Sequence, residues 1–223
     1  MNKIVIEFPV KGEWITPNSP RNRVPSHGTE MFGETYAIDF VMIKDEKRKA
    51  YNKSLLKYLL SGIELKDFYG WGQNVYSPVN GVVIATKDKM PERNKVHLYD
   101  DYSHMKRVTK DFMKGKGTIE SVAGNYVLIK CSDEVYVLLA HLKNTTVCVN
   151  VGQTVTVNQV IGKLGHSGNS MMPHLHMQLM NDRDYRKAKG IEFVFREYEV
   201  KWRNGWEIVR NSIPGSTEII RNK

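Results

Sequence analysis

Short apolar runs closed by glycine, proline or asparagine recur along this chain, and they limit it to a sheet protein. Residues 35–43, 125–131, 135–142, 145–149, 159–164 and 175–179 each read as a strand, because runs of that length rich in β-branched and aromatic residues fit a pleated, buried surface. Residues 4–14 read as a strand followed by a turn. Residues 75–86 read as strand, turn and strand, with Pro78 and Asn80-Gly81 at the turn, and residues 191–209 add strands or an edge hairpin around Asn204-Gly205. Helical signals are few. Residues 54–60 suit a short helix ended by Ser61-Gly62, and the polar stretch 87–117 reads as an inserted loop or partial helix. The expected class is mainly β, with an antiparallel, folded sheet and a few short helices in insertions. A chain of 223 residues can bury one sizeable core. We expect a single domain over residues 1–223, with its core at about 20–180 and a C-terminal β extension over 181–223.

The formal net charge is +9, which favours polyanions such as nucleic acid, anionic lipid headgroups or wall polymers. The densest basic stretch, residues 44–49, also contains acids, and no RNP1 element or zinc-finger spacing occurs, so no nucleic-acid partner is expected. The first residues lack the apolar centre of a signal peptide, and no run approaches the roughly 20 apolar residues of a membrane span. The expectation is a soluble monomer, cytoplasmic or released by a non-Sec route. Cys131 and Cys148 close neighbouring predicted strands and could pair. Two cysteines without a C-x-x-C partner in such a chain are expected to be free thiols.

The chemistry concentrates in P-H-L-H-M-Q. His174 and His176 are two residues apart, so on a strand both imidazoles enter one groove. Imidazole is the commonest zinc ligand and the commonest general base near neutral pH. A glycine-rich run, G-K-L-G-H-S-G-N-S, precedes the pair. Gly162, Gly165 and Gly168 would turn the chain there and keep the groove wall low for an extended peptide. Upstream lie His141 in A-H-L, His27, and Asp39 in the middle of an apolar run. A carboxylate there needs a cation or hydrogen bonds to offset its desolvation; the plainer alternative is an Asp capping a neighbouring loop. His141 alone would be a structural histidine, and an isolated H-x-H a surface pair. His97, His104 and His166 belong to no motif and read as loop residues.

Residues 149–178, V-x-V-G-Q-T-V-x-x-x-Q-V-I-G-K-L-G-x-S-G-N-S-x-x-P-H-L-H-x-Q, resemble the lysostaphin/LytM-type zinc endopeptidases, peptidase family M23. Y-S-P-V-N-G-V-V at 76–83 and the A-H-L motif extend the resemblance over roughly residues 20–180. His27 and Asp39 stand twelve positions apart, where most members have a shorter spacing. The resemblance implies a folded β-sheet of the LytM type. It implies His27, Asp39 and His176 as zinc ligands, and His141 and His174 as the non-ligand histidines of the site. It further implies a zinc-dependent endopeptidase that cuts peptidoglycan cross-bridges or stem peptides, using a metal-activated water with histidine acid/base assistance. Two other classes compete. One is a catalytically silent module of the same type that binds wall material or a protein partner; retention of all five site residues argues against it. The other is a biotinyl/lipoyl carrier, suggested by V-G-Q-T-V and Lys87–Met90, but a carrier needs no H-x-H.

Overall fold

Strand Leu175–Met180 is buried along its whole length, and the main sheet extends outward from it on both sides. The computed structural model describes residues 3–44 and 47–222. One flank of the central strand pairs antiparallel with Ile38–Met42, where His176 faces Asp39 in register. The other pairs antiparallel with Val135–Leu142, where His176 faces Ala140. Beyond Val135–Leu142 follow Asn125–Ser132, Gly81–Lys87 and Thr154–Val155; beyond Ile38–Met42 follow Gly12–Ile15, Ile220–Asn222, Phe193–Trp202 and Ile4–Ile6. With Gly205–Ser212, which pairs onto Phe193–Trp202 through a turn at Arg203-Asn204, eleven strands share this sheet among the described residues. The chain is mostly β, as the apolar runs predict.

Alternation along Ile38–Met42 assigns its two faces. Ile38 and Phe40 enter the main core with Leu139, Met177 and Phe195, while Asp39 and Val41 face a cavity on the other side. Aromatic rings fill the core below: Phe8 lies 4.5 Å from Phe195 and 5.3 Å from Phe40 between ring centroids.

Three local expectations need correction. Residues 145–149 form no strand. Thr145 is left-handed at φ 60, and the Thr146 hydroxyl donates to Lys143 O at 2.8 Å. These local side-chain bonds compete with a ladder and favour a turn. The strands of segment 75–86 do not pair with each other: Asn74–Tyr76 joins Val160–Lys163 in a separate two-stranded sheet, and Gly81–Lys87 pairs with Asn125–Ser132. The polar stretch 87–117 holds a 16-residue helix, Leu98–Met113, longer than the short helices expected. Its N-terminal His97 N–H is taken by the Asp101 carboxylate at 2.6 Å, which supplies one of the acceptors a helix start lacks. The expected short helix is Leu55–Ser61, capped by the Ser54 hydroxyl accepting from Lys57 N–H. Cys131 and Cys148 are free. Among the described residues no helix is long and apolar enough to cross a membrane.

Candidate metal and catalytic site

The register that sets His176 opposite Asp39 puts both side chains on one face of the sheet. The closest approach is 3.0 Å, between His176 Nδ1 and Asp39 Oδ1. His27 arrives from a loop, and its Nε2 lies 3.1 Å from Asp39 Oδ2. The long His27–Asp39 spacing is taken up by a folded-back segment. Ser26 N–H donates to Thr35 O at 3.1 Å, and Phe32 and Gly33 between them are left-handed. One donor atom from each of His27, Asp39 and His176 falls within 4.8 Å of the other two.

Neighbouring groups fix which atoms face inward. The Ser26 hydroxyl donates to Ala37 O at 2.7 Å, so it accepts from His27 Nδ1–H at 3.0 Å, which makes Nε2 the His27 atom directed at Asp39. The Gln178 amide N–H donates to Phe32 O at 2.8 Å, which turns its oxygen toward His176 Nε2 at 3.0 Å. His176 Nε2 therefore carries a hydrogen, and Nδ1 is the atom directed at Asp39. Asn18 Nδ2 donates to Asp39 Oδ2 at 2.7 Å. Two imidazoles and one carboxylate, each held from behind by a hydrogen-bonding partner, form a donor set suited to zinc.

Charge follows from burial and proximity. Burial opposes ionisation of Asp39, but the charges and hydrogen bonds of His174, His176 and His27 outweigh it and hold the carboxyl well below its usual range. Burial pulls His176 down, yet the Asp39 hydrogen bond and charge prevail and raise it to about 9. His141 and His174 go the other way. Burial above all, then the neighbouring imidazoles, pushes His141 well below the usual histidine range. Burial also lowers His174, partly opposed by Asp39.

His141 and His174 stand side by side with ring centroids 4.6 Å apart, and His141 lies 6.0 Å from the His176 ring. The left-handed backbone of His141, φ 62, is sterically costly for a non-glycine residue. Its Nδ1–H donates to Ser167 O at 2.9 Å. His174 Nδ1–H donates to Met172 O at 2.8 Å. Both rings thus hold their hydrogen on Nδ1 and keep Nε2 as an acceptor. His174 Nε2 is 3.7 Å from Asp39 Oδ1.

All five residues singled out from the sequence line one cavity of about 620 Å³. Gly162, Gly165 and Gly168 do not line it, contrary to the expectation of a low glycine wall. Gly165 and Gly168 serve packing instead. A Cβ on Gly165 would lie 2.4 Å from Lys143 Cα, and one on Gly168 2.4 Å from Gly124 N.

Sequence reasoning missed the residues behind the site. His166, read as a loop residue, is fully buried. Its Nε2 accepts from Arg93 at 3.0 Å and its Nδ1 meets the Ser170 hydroxyl at 3.0 Å, a hydroxyl that also lies 3.1 Å from His174 Nδ1. Arg93 is paired with buried Asp101 of the inserted helix at 2.7 Å. For Gln178 a signal was available: it stands two positions beyond His176, on the same strand face.

Residues 112–188 match the family model "Peptidase family M23". His141, His174 and His176 fall inside that stretch; His27 and Asp39 precede it. Three solved structures are similar at low identity. The catalytic domain of the antimicrobial peptidase lysostaphin from Staphylococcus simulans is 17% identical, with 81% of this chain and 88% of that chain covered and a TM-score of 0.39. The catalytic domain of the prophage-encoded M23 protein EnpA from Enterococcus faecalis is 18% identical, covering 65% and 85%, with a TM-score of 0.34. The M23 metalloprotease pseudoalterin, from the deep sea, is 12% identical, covering 100% and 97%, with a TM-score of 0.46. At these values the superpositions carry no argument, and the likeness rests on the sequence match. Over residues 112–188 the chain is similar in sequence to peptidase family M23.

Proposed function

We propose that this protein is a zinc-dependent metalloendopeptidase in which His27, Asp39 and His176 hold the metal and His141 and His174 handle protons. The observation that carries the reading is the convergence of three oriented donor atoms beside two further imidazoles whose Nε2 atoms are open. Zinc bound to such a set supplies a Lewis acid and lowers the pKa of a coordinated water toward ~7. The chain supplies the rest. Burial keeps His141 and His174 neutral near pH 7, so either Nε2 can accept a proton from an attacking water. An imidazolium formed at His174 sits 3.7 Å from the Asp39 carboxylate, which stabilises it for return of the proton to the leaving amine. Whichever imidazole takes the proton gains an Nε2–H, and that hydrogen can also be donated to the developing oxyanion.

Peptidoglycan cross-bridges or stem peptides are the substrates that the family resemblance suggests, and the +9 charge supports association with anionic walls. The test joins elemental analysis with digestion. Protein purified without added metal should contain about one zinc per chain. Zinc-loaded protein should release new amine termini from purified walls, and wall binding should weaken as salt rises. Cleavage of casein but of no wall type would remove the wall assignment and keep the peptidase. Zinc-loaded protein that cleaves neither would point to a silent wall- or partner-binding module.

A further inference from the structure

The cavity is larger and more apolar than the metal and histidines require. Its far wall is built by the inserted helix Leu98–Met113, which contributes Met105, Phe112 and Met113. Phe32 and Met172 continue it beside His27 and His174. Met113 is 50% exposed although it belongs to this wall, so apolar surface of the cavity that holds the five site residues stands open to water.

Two features show that the wall is held in place. Phe32 keeps a left-handed backbone at φ 62 and ψ 16, a conformation that costs a bulky residue energy and persists only where its surroundings enforce it. Its ring lies 4.6 Å from Phe112 of the helix. Its carbonyl accepts from Gln178, the same side chain that orients His176. The helix is tied to the other side of the site by Arg93. That guanidinium pairs with Asp101 of the helix and donates to Gly168 O and Ser170 O, in the loop that leads to His174. The apolar wall and the histidines are therefore fixed relative to each other.

We propose that this wall is a subsite for a bulky apolar side chain, so that preferred substrates are peptides with a leucine-, methionine- or phenylalanine-like residue next to the cleaved bond. The inference rests on the metallopeptidase reading but names a substrate class in place of the wall peptides that the resemblance suggests, whose small and charged residues would leave this wall uncovered. A glycine at this position would leave the methionine and phenylalanine wall in contact with water, whereas an apolar side chain covers it. Flexible thioethers repack around different shapes, so the subsite accepts a class of side chain rather than one member. It favours peptides that carry such a residue over all-glycine bridges.

The experiment uses the zinc-loaded chain of residues 1–223 and two probes, the hydroxamates of N-acetyl-leucine and N-acetyl-glycine. They share a metal-binding group and differ in the side chain. Calorimetry should show the leucyl probe binding on the order of tenfold tighter or more. Met105→Glu and Met113→Glu, both at positions that are not fully buried, should abolish that difference while zinc content and glycyl affinity stay unchanged. Methyl NMR of the methionines gives a reading that needs no metal. N-acetyl-leucine amide should shift the Met105, Met113 and Met172 methyls, and N-acetyl-glycine amide should not. Equal affinities, a difference that survives both variants, or unmoved methyls would overturn the subsite. A protein that takes up no zinc but still shows the methyl shifts would instead overturn the metallopeptidase reading and leave the apolar subsite standing.

Discussion

His176 has two claims on one nitrogen. In the metal-free protein the imidazole donates from Nδ1 to Asp39 and from Nε2 to Gln178, which is why it stays protonated up to about 9. A metal needs the Nδ1 lone pair, so zinc competes with that proton. Zinc affinity should therefore rise with pH through neutrality and level off above about 9. Uptake at pH 7 should release a proton, measurable by calorimetry in buffers of different ionisation enthalpy; uptake without release would show that no such ion pair exists. The same shift bears on stability. The folded value lies above the ordinary histidine value of 6.5, so the pair stabilises the metal-free fold fully below pH ~6.5, and this contribution is lost as pH rises through about 9. Substitutions should separate ligands from proton carriers. His176→Ala leaves two of the three proposed ligands and should lose zinc. His141→Ala and His174→Ala should keep zinc and lose about 10²–10⁴-fold in rate. Loss of metal from either of the latter, or retention by the former, would overturn the partition.

At the scale of elements, the loop that carries His166 to Ser170 is pressed against the start of strand Asn125–Ser132. Gly168 has φ +69, and a Cβ there would meet Gly124 N at 2.4 Å and Val122 O at 2.5 Å. Gly152 is also left-handed, at φ +87, but a Cβ there meets nothing within 4 Å. Both alanine substitutions carry the backbone cost of ~1–2 kcal/mol; only Gly168→Ala adds a clash that backbone must move to relieve. It should destabilise by at least about 2 kcal/mol more than Gly152→Ala in denaturant midpoint, and equal losses would contradict the close approach. These glycines also mark where sequence reading ran out. A G-x-x-G run signals a turn but not what the turn lies against, and the contacts here are with residues 122–124 and 143, far away in sequence. His166 and Asp101 were opaque for the same reason, because their partners meet only in the fold. The strands were legible where apolar alternation agrees with long-range pairing, as in Val135–Leu142. They were misread at 145–149, where threonine side chains favour a local turn. His174, His176 and Asp39 stood out because a strand pair and a lone acid in an apolar run are each unusual within one element.

For the whole molecule, the end of the chain supports the face that carries the site. Ile220–Asn222 lies between Gly12–Ile15 and Phe193–Trp202, and Ile4–Ile6 runs parallel to Phe193–Trp202. Phe195 packs 4.5 Å from Phe8 and 5.9 Å from Phe40. Phe40 is the residue after Asp39 and points to the opposite side of the same strand. Ending the chain after residue 190 would therefore uncover Phe8, Trp14 and Phe40 together and unpair the outer edge of Gly12–Ile15. Loss of one buried phenylalanine side chain costs ~3–5 kcal/mol, while a domain holds ~5–15 kcal/mol in total. Deletion of several such contacts should exceed the stability available. Residues 1–190 should then show no cooperative unfolding transition and no stoichiometric zinc, although all five site residues remain. Ile208→Lys gives the contrast. Ile208 belongs to the same C-terminal region but is 52% exposed on the outer hairpin strand, so this substitution should leave both zinc content and unfolding midpoint nearly unchanged. A truncated chain that unfolds cooperatively and binds one zinc would show that the site needs only the sheet as far as Leu175–Met180, and that the C-terminal strands are an addition to it rather than its support.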